Sequence, residues 1–222
     1  MTERSRYSPL VGDPGGMSVK LWGAAVAFVA LALLPAAGLS QSAEPLQGDR
    51  ERGRRLFEVK GCIECHAPPG KPKEIGPPLT ELQQKQGLYQ LAGRLWNHVP
   101  AMQEKLAERG KTWPTLSRNE MADLAVWLMA RVGADPQGSA ARGQVLLLKK
   151  GCLKCHAFFG EGAGVGPDLN RYPHYDSSLD WLTSVWDHAS KMRAKAEQLG
   201  TEYPRFEADE MVDLVAFLKL SQ

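Results

Sequence analysis

Neither sign of charge is in marked excess: 27 lysines and arginines against 25 aspartates and glutamates leave a formal +2 over 222 residues. No basic run interleaved with aromatics breaks that balance, which argues against a nucleic-acid partner. Strand patterning is lacking too. No segment alternates apolar and polar residues in the way a half-buried strand does, so an all-α fold is expected. Cysteine is rare, with four in the chain, and all four fall in two copies of one pattern: Cys62-Ile63-Glu64-Cys65-His66 and Cys152-Leu153-Lys154-Cys155-His156. None is left for a disulfide or a separate metal site.

Cys-x-x-Cys-His carries a specific chemistry. One turn of chain separates the two thiols by about the span between the vinyl groups of a haem, and the histidine that follows points at the iron. Cys62, Cys65, Cys152 and Cys155 are therefore the expected covalent attachment points, and His66 and His156 the expected axial ligands. A thioredoxin-type dithiol or a zinc site are the competing readings of Cys-x-x-Cys alone. The histidine in both copies weighs against the first. Against the second, each pair sits at the same place in its own copy, whereas zinc needs the pairs brought together.

The two motifs belong to a repeat with a register of 90 residues and no gap. It carries Cys152 to Cys62, Gly166-Pro167 to Gly76-Pro77, Trp186 to Trp96, His188 to His98, Met192 to Met102, Pro204 to Pro114 and Asp213 to Asp123. A fixed register over a domain length means two copies of one folded unit. Two units imply two covalently attached haem c groups.

Residues 1–20 form a polar N-terminal region without periodicity, disordered over its first sixteen residues. Residues 21–43 read as a secretory signal peptide or a membrane anchor, an uncharged apolar run after Lys20 that ends in small residues. Pro35 and the small residues favour cleavage, while the near-spanning length keeps an anchor open. Either outcome places the remainder outside the cytoplasm, in a periplasmic or other extracytoplasmic space. The first domain is expected at 48–132, a small and polar linker at 133–142, and the second domain at 143–222.

Within the first domain, Asp49 can cap a helix reaching about Lys60, with Gly53, Leu56 and Phe57 on one face. Prolines and glycines from 68 to 78 impose a loop. Leu88, Leu91, Ala92, Leu95, Trp96 and Val99 keep a helical period, which predicts a second helix kinked or broken at Pro100. Ser117 and Glu120 form a capping box ahead of a last helix whose inner face is Met121, Leu124, Ala125 and Leu128. The second domain repeats the plan, and Met211 repeats Met121 as a packing residue. His174 and Tyr175, present in one copy, read as surface loop residues.

With these elements in place, the chain from residue 48 onward resembles the class I cytochrome c family, as a tandem dihaem member. Gly53 with Phe57, facing Leu124 and Trp127, resembles the family's helix crossing, and Gly143 with Leu147 is the looser copy. Gly76-Pro77-Pro78-Leu79 and Gly166-Pro167-Asp168-Leu169 resemble its Gly-Pro-x-Leu loop. The resemblance implies an all-α fold of two tandem domains, each a few helices wrapped around its haem. It also implies that the carbonyls of Pro77 and Pro167 accept the proton of the outer ring nitrogen of His66 and His156.

One departure stands out. The family's distal methionine slot, just before a proline, holds Trp113 before Pro114 and Tyr203 before Pro204. The repeat offers Met102 with Met192, or His98 with His188, four residues apart and so on one helix face. The methionines are the expected ligands because thioether with imidazole is the commonest ligation for a high-potential carrier of this fold. The histidines are the alternative, and an open iron a third. Trp96 and Trp186 are expected to wall the haem or to donate an indole N–H to a propionate, or else to serve as ordinary core aromatics.

The function expected is an exported dihaem one-electron carrier of a respiratory-type chain, with redox partner proteins and no catalytic residues of its own. The alternatives are a dihaem peroxidase-like enzyme with one open haem, or the cytochrome subunit of a membrane or dehydrogenase complex.

Overall fold

The computed structural model describes residues 46–66, 75–79, 86–129, 132–173 and 175–222. The expected signal or anchor at 21–43 and His174 lie outside them. Among the described residues no helix is long and apolar enough to cross a membrane.

Helix α1 (Arg50–Val59) starts where the Asp49 carboxylate accepts the Arg52 backbone N–H at 2.8 Å. Helix α3 (Arg118–Leu128) starts at the capping box, with Ser117 and Glu120 each accepting the other's backbone N–H. The two helices cross at Gly53, where a Cβ would run into the Asp123 carbonyl and the Trp127 Cβ. Phe57, one turn on, meets Trp127 with ring centroids 4.7 Å apart. In the second repeat α4 (Ala140–Lys149) crosses α6 (Glu210–Leu220) at Gly143, against the Asp213 carbonyl and the Phe217 Cβ.

A buried carboxylate ties each crossing. Asp123 accepts from Arg52 Nε at 2.8 Å and from the Asp49 backbone N–H, and Asp213 accepts from Arg142 Nε and the Ser139 N–H, both at 2.6 Å. The Arg52 hydrogen bond holds the Asp123 carboxyl below the usual carboxylate range.

Helix α2 (Leu88–Glu108) runs unbroken through Pro100, so the break expected as one alternative does not occur. Proline removes the N–H that the carbonyl four residues earlier, that of Trp96, would accept. The Tyr203 hydroxyl donates to that carbonyl at 3.3 Å instead. Its counterpart is α5 (Ser178–Gln198), where Ser190 takes the place of Pro100. A short antiparallel hairpin, β1 (Ala157–Phe158) with β2 (Glu161–Gly162), also departs from the expectation of no strands. Phe159 and Gly160 both take positive φ, 52° and 80°, which makes the two-residue turn that hairpins favour. Two residues per strand are too few to show alternation.

The connection between the repeats is shorter and firmer than a small polar linker implies, since Ala140–Arg142 already belongs to α4. Asp135 accepts from the Tyr89 and Gln90 backbone N–H groups at 3.1 and 2.9 Å and so caps α2 from a distance in sequence. Gly87 makes room for it: a Cβ there would fall on the Asp135 carboxylate. Tyr175 is buried, not a surface residue, because the two repeats close over it. Its side chain is 1% exposed, its hydroxyl donates to the Leu169 carbonyl, and its own carbonyl accepts the Tyr89 hydroxyl, both at 2.7 Å. One apolar core runs through both repeats, from Phe57, Trp96 and Leu124 to Leu147, Val185 and Leu218.

Candidate functional site: two matched cofactor pockets

Each Cys-x-x-Cys-His segment folds as a single tight turn launched by a glycine in the left-handed region, Gly61 at φ 78° and Gly151 at φ 71°. The backbone N–H of His66 donates to the Cys62 carbonyl at 2.9 Å, and that of His156 to the Cys152 carbonyl at 2.9 Å. None of the four cysteines is paired in a disulfide. Among the described residues no three His, Cys, Asp or Glu side chains converge as a metal site would need.

The proximal histidines are oriented by the Gly-Pro loops. His66 Nδ1 lies 3.0 Å from the Pro77 carbonyl, and His156 Nδ1 lies 2.9 Å from the Pro167 carbonyl. A carbonyl can only accept, so Nδ1 carries the proton and the Nε2 lone pair is left for a metal. The glycine ahead of each proline allows the close approach: a Cβ on Gly76 or Gly166 would strike the imidazole ring itself, at 2.7 and 2.6 Å.

Opposite these rings the structure brings His98 and His188. The His66 and His98 centroids are 6.2 Å apart, and the His156 and His188 centroids 6.4 Å apart. That separation is too wide for ring contact. It leaves room for a metal between the two imidazoles of each pair. His98 and His188 are exposed at the surface, and partial desolvation, with the nearby His66 or His156 adding to it, lowers the proton affinity of both rings. Met102 and Met192, one turn further along α2 and α5, are half-buried and pack against the apolar core. The residues present thus fit a covalent haem in each repeat, with two thiols and a proximal imidazole on one side and a second imidazole across from it.

The indole N–H groups of Trp96 and Trp186, expected to reach a propionate if the rings do not simply wall the haem or fill the core, are engaged on backbone carbonyls. The Trp96 indole N–H donates to the Pro204 carbonyl at 2.6 Å and that of Trp186 to the Pro114 carbonyl at 2.7 Å, each reaching into the other repeat. Two groups escaped the sequence reading. The Trp181 indole N–H is buried without a protein partner, two turns before His188 on the same helix face. Asp187 Oδ1 is likewise buried and unpartnered. The available signal was a difference between copies, since Trp181 replaces Leu91 and Asp187 replaces Asn97.

A family model described as cytochrome c matches the chain twice, over residues 50–131 and 140–221. No curated protein and no solved structure matches it.

Proposed function

The chain belongs to the cytochrome c family as two tandem domains carrying two covalently bound haem c groups, and from that premise we propose that it is a one-electron carrier with both irons closed by paired histidines. The family assignment makes it a haem-based electron-transfer protein. The observation that carries the finer reading is the pair of facing imidazoles, 6.2 and 6.4 Å between centroids, repeated in both domains. The distal ligands are then His98 and His188, and Met102 and Met192 are packing residues, the reverse of the preference drawn from the sequence.

When bound, each haem supplies reversible one-electron chemistry at iron. The chain's own residues do the rest. The cysteines fix the group in place, and His66 and His156 hold their rings through Pro77 and Pro167. His98 and His188 occupy the side on which a substrate would have to bind. That arrangement favours relay over peroxide chemistry, because peroxide needs an open position. The partners are other redox proteins in a respiratory-type chain. Export follows from residues 21–43 read as a signal or anchor, and from covalent haem attachment, which c-type cytochromes typically acquire outside the cytoplasm. Fractionation with a tag at the C-terminus tests the export.

Carbon monoxide tests the closed sites. The dithionite-reduced protein should show two haems per chain and leave its spectrum unchanged under the gas. A stoichiometric shift of one haem, together with peroxide turnover, would make the protein a dihaem peroxidase.

A further inference from the structure

The slot that holds the distal methionine in the family is occupied here by aromatics that leave their own domain. Trp113 packs against Trp186 with centroids 4.7 Å apart and planes tilted by 37°, and donates its indole N–H to the Trp186 carbonyl at 3.1 Å. Tyr203 stacks on Trp96 at 4.8 Å with planes 10° apart and donates its hydroxyl to the Trp96 carbonyl. In return the two tryptophans donate to the carbonyls of Pro114 and Pro204. The exchange is reciprocal, and it grips α2 and α5 two residues before His98 and His188.

We propose that each domain positions the distal histidine of the other, so that Tyr203 sets the ligand of the first iron and Trp113 that of the second. The proposal rests on the axial assignment above. A side chain's aim is fixed by the helix segment that bears it, and here that segment is held chiefly from across the interface. Around His98 the hold is fourfold: the Trp96 indole on the Pro204 carbonyl, the Tyr203 hydroxyl on the Trp96 carbonyl, and the Asn97 carboxamide paired with both the N–H and the carbonyl of Phe206. Pro100 adds weight to the second of these, since it lacks the N–H that the Trp96 carbonyl would accept in a regular α-helix. Around His188 the hold is threefold, through the Trp186 indole on the Pro114 carbonyl, the Trp113 indole on the Trp186 carbonyl and the Gln103 carboxamide on the Ser190 carbonyl. Trp113 therefore carries a third of the hydrogen bonds on its side and Tyr203 a quarter of those on its own.

The test uses the full-length dihaem protein and the low-spin electron paramagnetic resonance signals of its two ferric irons. His98→Ala and His188→Ala first assign the signals, each abolishing one. Tyr203→Leu should then shift the signal and the midpoint potential assigned to His98 and leave the other in place. Trp113→Leu should shift those assigned to His188, by more. Tyr203→Phe keeps the stacking and loses only the hydrogen bond, and Trp113→Phe keeps an aromatic contact without the indole N–H, so both should show smaller shifts of the same iron even if the leucine variants fold poorly. Shifts in the iron of the substituted residue's own domain, or no shift in either, would overturn the proposal. If the alanine variants leave both low-spin signals intact, the axial assignment itself fails, and the cross-positioning falls with it for that separate reason.

Discussion

The two domains set their histidine pairs at nearly the same separation, 6.2 and 6.4 Å, and surround them differently. In the first, Asn97 satisfies a backbone N–H and a carbonyl of Phe206 at once, because a carboxamide both donates and accepts. In the second, the matching Asp187 has no N–H to offer, and one of its oxygens is buried without a partner. The first has Pro100 where the second has Ser190, and Leu91 where the second has the buried, unpartnered indole N–H of Trp181. The residues expected to hold the cofactor recur in both copies, and several differences fall near the distal histidines. On the proposed ligation the two irons should share their ligands and differ in potential.

The largest effect should come from breaking one pair. His98→Ala or His188→Ala should convert one iron of the two to a high-spin, carbon monoxide-binding state, read by absorption and magnetic resonance. Met102→Ala or Met192→Ala should leave both irons low-spin and cost about 2 kcal/mol of packing, read by thermal denaturation. A low-spin signal lost in a methionine variant would reverse the ligand assignment.

An intermediate effect should come from exchanging the two residues that differ. Asn97→Asp removes the donor to the Phe206 carbonyl and should cost about 1–3 kcal/mol in unfolding experiments. Asp187→Asn removes a negative charge beside His188 and should raise the potential of the second haem. The size is on the order of 1 kcal/mol, a few tens of millivolts for one electron. A potential that falls or stays fixed in a redox titration would mean that the asymmetry is not electrostatic.

How much of this could be read from the chain differed by level. The attachment motifs, the Gly-Pro loops, the caps at Asp49 and Ser117 and the crossings at Gly53 and Gly143 were legible because each rests on short-range spacing. The choice between His98 and Met102 was not, because four residues on a helix put both on one face. The continuity of α2 through Pro100, the burial of Tyr175 and the use of Trp96 and Trp186 all depend on contacts between repeats. Pattern within one repeat carries no record of these. The hairpin at 157–162 was too short to show a period.

The smallest expected effect concerns what the domains share. Arg52 holds the Asp123 carboxyl below its ordinary value, so the ion pair adds stability above about pH 4 that is lost as pH falls through the lower folded value. Asp123→Asn should flatten the acid limb of the stability curve and leave the neutral region parallel to the parent. An unchanged acid limb, measured by denaturant titration between pH 3 and 7, would show that the pair does not couple to folding.

The most direct test of paired histidines at both irons is the far-red absorption of the oxidised protein, where an iron–thioether bond gives a charge-transfer band. Two low-spin haems per chain without that band are expected. A band of full strength for two haems would place Met102 and Met192 on the irons and contradict the account.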